Sequence, residues 1–182
     1  AEAVLLDHGY VRIGMDHFAH PDDPMAAQLA NGGLRRNFQG YTDDPAAVLI
    51  GLGPSAISAF LQGYAQNAPR VDQWAMAVKR SELPVSRQLA TTNEDRLRGA
   101  VIERLMCSLE VDLALVCKEH GYAVSTLDVE LAAAQTLMAD GLCAVSERRI
   151  RVSPELSRLV RVVAACFDHQ TAPPSARHSL AI

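Results

Sequence analysis

Residues 35–42 read RRNFQGYT, and an earlier stretch, at residues 10–19, reads YVRIGMDHFA. Two more motifs follow in order, GLGPSAIS at residues 51–58 and YAQN at residues 64–67. Ahead of them, residues 1–9 have the pattern of the last turns of an amphipathic helix that ends at a glycine, and the alternation after it predicts a strand. We therefore expect the chain to begin inside an α/β repeat, with further protein before it.

The four motifs, in this order and spacing, resemble oxygen-independent coproporphyrinogen III oxidase, a radical S-adenosylmethionine (SAM) family of haem synthesis. The resemblance continues to CFD at residues 166–168 and so covers nearly the whole chain. It implies an α/β and mainly α fold: the C-terminal remnant of a radical-SAM (β/α) partial barrel, followed by a helical, winged-helix-like domain with a short β-hairpin.

The cysteines set a limit on this resemblance. The family holds a 4Fe-4S cluster with a Cys-x-x-x-Cys-x-x-Cys loop, which lies upstream of these motifs. Here the cysteines are Cys107, Cys117, Cys143 and Cys166, too widely separated to share one short loop, as cluster ligands normally do. We expect a C-terminal fragment with no metal ligands and no catalytic residues of its own, inactive alone.

Composition narrows the functional classes. The chain has 182 residues, of which 49% are hydrophobic and 21% charged, with a net charge of -4. An acidic balance argues against a dedicated nucleic-acid binder, which needs clustered cations. No apolar run is long enough to predict a membrane span, and no signal peptide opens the chain. Scattered cysteines favour a reducing cytoplasm.

The predicted organisation has four parts: a C-terminal part of the barrel at residues 1–68, a connector at 69–91 with a short helix near 74–78, a helical domain at 92–170 and a loose tail at 171–182. Within the first part, Asp22 or Asp23 caps a helix that starts at Pro24. Residues 47–52 predict a buried strand or turn, and residues 55–66 a helix. We expect this barrel piece to self-associate through its open strand edges.

The helical domain has clearer boundaries. Thr92 and Asn93-Glu94-Asp95 resemble a capping box that opens a long helix. The pattern then predicts a second helix at residues 113–120, a third at 125–140, a hairpin made of 142–145 and 149–152, and a last helix from Ser153.

The glycine motif at residues 51–58 has three interpretations. It matches the G-x-G-x-x-A dinucleotide fingerprint, although no strand ends in a suitably placed acidic residue. It is also compatible with a turn that serves packing alone. The resemblance implies instead that it borders bound SAM, with these cofactor-binding residues: Gln39, Gly53, Ser55, Ala56 and Ile57.

The resemblance implies that residues 35–42 line the active-site cavity. The resemblance implies that Phe38 packs on a ligand, and Arg35 and Arg36 are matched to the four carboxylates of a porphyrinogen because guanidinium pairs bidentately with carboxylate. A solvated basic pair is the alternative. The stretch at residues 16–23, with His17, His20 and three aspartates, allows a hydrolytic metal site, but strand-end packing for His17 and surface exposure for His20 are the favoured explanations.

By resemblance, the intact enzyme oxidatively decarboxylates two propionates of coproporphyrinogen III to vinyl groups and yields protoporphyrinogen IX. SAM and a 4Fe-4S cluster are its implied cofactors, and the electron donor is not identified. The intact enzyme is expected to be a monomer. Two alternatives stay open: a haem chaperone of the radical-SAM fold, and a winged-helix module that binds DNA through Arg148, Arg149 and Arg151.

Overall fold

The structure is a computed structural model that describes residues 2–169, so the predicted tail lies outside the described residues. The chain divides into two compact units, residues 1–97 and residues 98–182. All strand pairs between the named strands are antiparallel within the described range.

The first unit holds three short helices and three small sheets. Its elements are α1 (Glu2–Asp7), β1 (Val11–Ile13), β2 (His17–Ala19), α2 (Pro24–Ala30), β3 (Arg35–Arg36), β4 (Tyr41–Thr42), β5 (Ile57–Phe60), β6 (Gly63–Asn67), α3 (Val71–Lys79) and β7 (Val85–Ala90). The sheets are β1-β2, β3-β4 and β5-β6-β7. As predicted, Gly9 ends α1 with a positive φ, and the Asp23 carboxylate caps α2 by accepting from the Met25 N–H.

The predicted helix at residues 55–66 is wrong, because the segment forms the β5-β6 hairpin. The spacing of its apolar residues suits a helix, but tertiary contacts decide otherwise. Gly63 has φ +145, and a Cβ there would lie 2.0 Å from the Leu89 carbonyl oxygen of β7. The backbone of β7 therefore occupies the space that a side chain would need, and the strand pairing overrides the helical pattern.

The segment at residues 69–91 contains more structure than a connector. The expected short helix is present as α3, but β7 was not predicted. This strand hydrogen-bonds to β6 along its length and so belongs to the sheet of the first unit. The segment at residues 47–52 is not a buried strand either, because Ile50 and Leu52 are exposed and only a single bridge joins Leu49 to Ala59.

Helix α4 (Asn93–Ser108) crosses the boundary between the units, and its start confirms the predicted capping box. The Thr92 hydroxyl accepts from the Asp95 N–H at 3.1 Å, and the Asp95 carboxylate accepts from the Thr92 N–H at 2.8 Å. These reciprocal bonds satisfy backbone donors that a helix start otherwise leaves unpaired.

The second unit confirms the predicted helices and hairpin. Its elements are β8 (Glu110–Asp112), α5 (Leu113–Glu119), a 3-10 turn (Val124–Leu127), α6 (Asp128–Ala139), β9 (Ala144–Ser146), β10 (Arg149–Arg151), a 3-10 segment (Pro154–Leu159), α7 (Val160–Ala164) and a final 3-10 turn (Ala165–Phe167). Strand β8 was not predicted and adds a third strand to the hairpin, in the order β8-β10-β9.

The core of the second unit is continuous and apolar. Val101, Leu113, Ile150 and Phe167 are fully buried in it. A buried ion pair accompanies them: Arg98 of α4 and Glu130 of α6 lie 2.6 Å apart, nitrogen to oxygen. Within residues 2–169, no helix has the length and apolar character needed to span a membrane.

Candidate ligand site of the first unit

Tyr41 joins the first two motifs. Its hydroxyl oxygen accepts a hydrogen bond from the buried Met15 N–H at 2.9 Å. Gly14 has φ +57, and a Cβ on it would lie 2.2 Å from the Tyr41 ring. The glycine of the GMDH segment is therefore required for Tyr41 to reach the backbone at Met15. The His17 and Tyr41 rings also pack nearly perpendicular to each other, with centroids 5.1 Å apart.

The turn between β3 and β4 presents Phe38 and Gln39. The Asn37 side-chain oxygen accepts from the backbone N–H groups of Gln39, at 2.8 Å, and Gly40, at 3.3 Å. This Asx-type turn fixes the tip of the hairpin without using either exposed side chain. The Phe38 ring is 54% exposed and meets Tyr64 of β6 edge to face, with centroids 5.4 Å apart. The second motif thus reaches the fourth.

The glycine loop at residues 51–56 is clamped by Asn67, which the sequence analysis missed. The Asn67 side-chain amide donates to the carbonyl oxygens of Gly51, at 3.2 Å, and Gly53, at 2.9 Å. Its backbone N–H donates to Ala56, and Asn67 is itself buried. The signal was present in the sequence, since Asn67 is the last residue of the YAQN motif.

Four of the five predicted cofactor-binding residues lie in or directly after this clamped loop, whereas Gln39 lies in the turn between β3 and β4. Gly53 has φ +99 and open space around it, and Ser55 has φ 59 and is exposed. Ile57 begins β5 directly opposite Gln66, and its side chain is partly exposed. The dinucleotide interpretation is wrong, because a strand rather than a helix follows the loop and no helix N-terminus offers amides to a phosphate.

The two arginines of β3 lie in different environments. Arg35 pairs in register with Thr42, and Arg36 pairs with Tyr41. The Arg36 guanidinium carbon lies 5.6 Å from the centroid of the Tyr41 ring, which is a cation-π arrangement. Since adjacent residues of a strand point to opposite faces, Arg35 and Arg36 do not share one face of the hairpin.

The possible metal site near residues 16–23 is not assembled. His17 Nδ1 lies 2.8 Å from Asp16, and His20 Nδ1 lies 3.3 Å from Asp22. Among residues 2–169, no three histidine, cysteine, aspartate or glutamate side chains come together as metal ligands would.

The cysteines do not fit a cluster. Three of them are buried, and Cys166 is half-buried. Burial raises the pKa of the Cys117, Cys143 and Cys166 thiols. An iron-sulfur cluster needs several thiolates in one place, and the described residues supply neither the grouping nor an environment that favours the thiolate.

The arginines of the β9-β10 hairpin are paired with carboxylates inside the second unit. Arg148 pairs with Asp128, Arg149 with Asp112 at 3.2 Å, and Arg151 with Glu110 at 2.8 Å. The Leu115 N–H and then Arg149 hold the pKa of Asp112 below its usual value. Guanidinium groups that are already paired with carboxylates are poor ligands for DNA phosphates, which weakens the DNA-binding alternative.

Comparison with known proteins places these motifs in a family. Residues 91–155 match the family model of the HemN C-terminal domain. The oxygen-independent coproporphyrinogen III oxidase of Bradyrhizobium diazoefficiens is 40% identical to this chain, and the match covers 98% of this chain. Over nearly its whole length the chain is thus similar to one part of the oxygen-independent coproporphyrinogen III oxidases. The oxidase of Escherichia coli is 39% identical over 91% of the chain.

A solved structure agrees with this assignment. The E. coli coproporphyrinogen III oxidase (HemN), described as a radical SAM enzyme, matches 92% of this chain with a TM-score of 0.85 and 36% identity. The predicted fold class is therefore confirmed: the mixed helix and sheet structure matches the C-terminal region of this family. The chain spans about 40% of the length of the curated oxidases named above, and 39% of the solved chain.

Proposed function

We propose that this chain is part of an enzyme that converts two propionates of coproporphyrinogen III to vinyl groups by oxidative decarboxylation, giving protoporphyrinogen IX in the cytoplasm. The observation that carries the proposal is the identity of 37–40% to relatives bearing this enzyme's name over nine-tenths or more of the chain. The chain alone is inactive in this proposal, because its cysteines do not fit the cluster.

The glycine loop supplies the part of the chain that fits SAM, whose radical chemistry removes hydrogen from the propionate. Gly53, Ser55 and Ala56 form a backbone surface that Asn67 holds in place, and Ile57 adds an apolar side chain at its end. Gln39 offers an amide from the hairpin tip. Clamped carbonyls and a partly exposed apolar residue suit a nucleoside, which has both polar edges and an apolar face.

The hairpin supplies contacts to the substrate. Phe38 is exposed but its ring is oriented by Tyr64, so it can pack against a flat macrocycle without first being ordered. Arg36, stacked on Tyr41 in the same hairpin, provides positive charge for a carboxylate of the substrate. In this proposal the chain's own task is to bind, to orient and to exclude water, and the cofactors perform the hydrogen abstraction.

A chimeric enzyme tests the proposal. The matching C-terminal part of the E. coli oxidase is replaced by this chain, and anaerobic conversion of coproporphyrinogen III is followed by the appearance of protoporphyrin after oxidation. We expect turnover in the chimera. Loss of turnover with an intact cluster spectrum and normal folding would contradict the proposed function.

Substitution of Ile57 then tests the site. Ile57→Asp places a carboxylate in a partly buried apolar contact, which costs several kcal/mol if the group stays charged, so turnover should fall at least about a hundredfold while the cluster spectrum persists. Leu83→Asp is the matched control, because Leu83 is 87% exposed in the same unit and its replacement stays in water. Equal activity of the two variants would remove Ile57 from the site.

A further inference from the structure

Four side chains of the first unit form a connected group that we call the Tyr41 cluster: Asp16, His17, Arg36 and Tyr41. Arg36 lies over the Tyr41 ring, and the His17 ring packs nearly perpendicular to it. Asp16 in turn holds His17 through Nδ1. The cluster therefore brings a permanent cation and an ionisable imidazole to one aromatic ring.

The Tyr41 ring is fixed before any ligand arrives. Its hydroxyl accepts from the Met15 N–H, the ring occupies the space that a Cβ at Gly14 would need, and Tyr41 is buried. A guanidinium stacked on a fixed ring loses less conformational freedom when it binds a ligand than a mobile one does. Arg36 itself remains exposed, so a ligand can reach it.

The orientation of the His17 ring is also fixed, by its hydrogen bond with Asp16. With Nδ1 directed to Asp16, the other ring nitrogen faces Gly40, where a Cβ would lie 3.4 Å from Nε2. Glycine at this position lacks the Cβ that would otherwise contact Nε2. The imidazole is half exposed, and an imidazole N–H can donate a hydrogen bond to an anion.

We propose that Arg36 and His17, both positioned by Tyr41, form a subsite for one carboxylate of the substrate, and that Arg35 lies outside it. The inference rests on the proposed function only for the identity of the substrate, a porphyrin tetracarboxylate. It divides a pair of adjacent arginines that sequence alone treats as equivalent. The division follows from strand geometry, which places the two side chains on opposite faces, and from the position of Arg36 over the Tyr41 ring.

Binding of three probes to the purified chain tests the subsite. The probes are coproporphyrin III, the stable oxidised form of the porphyrinogen; its tetramethyl ester, which lacks the negative charges; and benzene-1,2,4,5-tetracarboxylate, which lacks the macrocycle. Porphyrin binding is followed by fluorescence and benzene-tetracarboxylate binding by NMR titration. The matched variants are Arg36→Gln and Arg35→Gln, both at exposed positions of β3.

Arg36→Gln should raise the Kd for coproporphyrin III about tenfold, the usual effect of losing one charged hydrogen-bonding partner. Arg35→Gln should change it less than about twofold, the scale of an exposed charge. Arg36→Lys should fall between, because the charge remains but the planar fork is lost. The ester should bind equally to the wild type and to Arg36→Gln. Circular dichroism checks that each variant is folded.

The outcomes separate the subsite from the function. Binding of coproporphyrin III that Arg36→Gln leaves unchanged, or that both glutamine variants weaken equally, would overturn the subsite and leave the function standing. If coproporphyrin III binds no better than benzene-tetracarboxylate, yet Arg36→Gln weakens both, the subsite stands and the porphyrin substrate is wrong. Failure of the wild type to bind any of the three probes would overturn the inference.

Discussion

Glu130→Ala should destabilise the second unit far more than its position on an acidic helix suggests. Glu130 is 4% exposed and Arg98 is 6% exposed, and their side chains meet at 2.6 Å. Removing the glutamate leaves the Arg98 guanidinium buried without this carboxylate. Removing one partner of a buried ion pair typically costs about 3–5 kcal/mol, because the remaining charge stays buried without a compensating charge.

A surface pair on the same helix provides the control. Arg104, also on α4, pairs with Glu119 of α5, and both side chains are more than a third exposed. Glu119→Ala should cost about 0–1 kcal/mol, since water and salt screen the pair. The two variants remove the same side chain from the same kind of partner, so their difference measures burial.

Urea unfolding at neutral pH, followed by circular dichroism at 222 nm, provides the measurement. With an m-value near 1.5 kcal/mol/M, a loss of 3–5 kcal/mol moves the midpoint of the helical transition down by roughly 2–3 M. Trp74, the only tryptophan, lies in the first unit, and its fluorescence reports that unit separately. A midpoint shift for Glu130→Ala no larger than that for Glu119→Ala would refute the reasoning.

The same pair predicts a pH dependence. Burial acts to raise the pKa of Glu130, but hydrogen bonds from its own backbone N–H, Arg98 and His169 outweigh it, so the pKa is lowered. The pKa of a glutamate side chain in the unfolded state is about 4.3. The stabilisation by ionised Glu130 is therefore complete above that pH and is lost as the pH falls through the lower pKa of the folded state. Glu130→Gln should lack this acid-dependent part of the stability, which urea midpoints measured from neutral pH down to the acid limit would show.

Two further substitutions test the first unit. Gly14→Ala should lower its stability by at least about 2 kcal/mol, because the new methyl overlaps Tyr41 at a positive φ. The control Gly32→Ala, with φ +71 and open space, should cost only the backbone strain of about 1–2 kcal/mol. Thermal unfolding followed by Trp74 fluorescence should give Gly14→Ala the lower midpoint, and equal midpoints would show that Tyr41 moves aside freely. Asn67→Ala should release the glycine loop at a cost of about 1–3 kcal/mol and speed amide exchange at residues 51–56, while Gln66→Ala, which removes an exposed bond to the Ser55 carbonyl, should not. Unchanged exchange in Asn67→Ala would mean that the loop is held by its backbone alone.

The helical half of the fold could be read from the sequence because its signals are local. The capping box at Thr92, and likewise the Asp23 cap of α2 in the first unit, each depend on residues within one turn of the chain. Strands β7 and β8 were missed for the opposite reason: β8 has only three residues, and both strands depend on pairing with a partner strand, β6 for β7 and β10 for β8.

The same distinction between local and long-range signals applies to the candidate site. Motif order alone determined the family and pointed to Phe38, Gln39, Ile57 and the paired arginines as ligand-binding candidates. Only the tertiary structure decided that residues 55–66 form a hairpin, that Asn67 clamps the glycine loop, and that Arg36 rather than Arg35 is stacked on Tyr41. Helix caps are satisfied between near neighbours in sequence, whereas strand partners, side-chain clamps and stacked rings join residues that only the folded chain brings together.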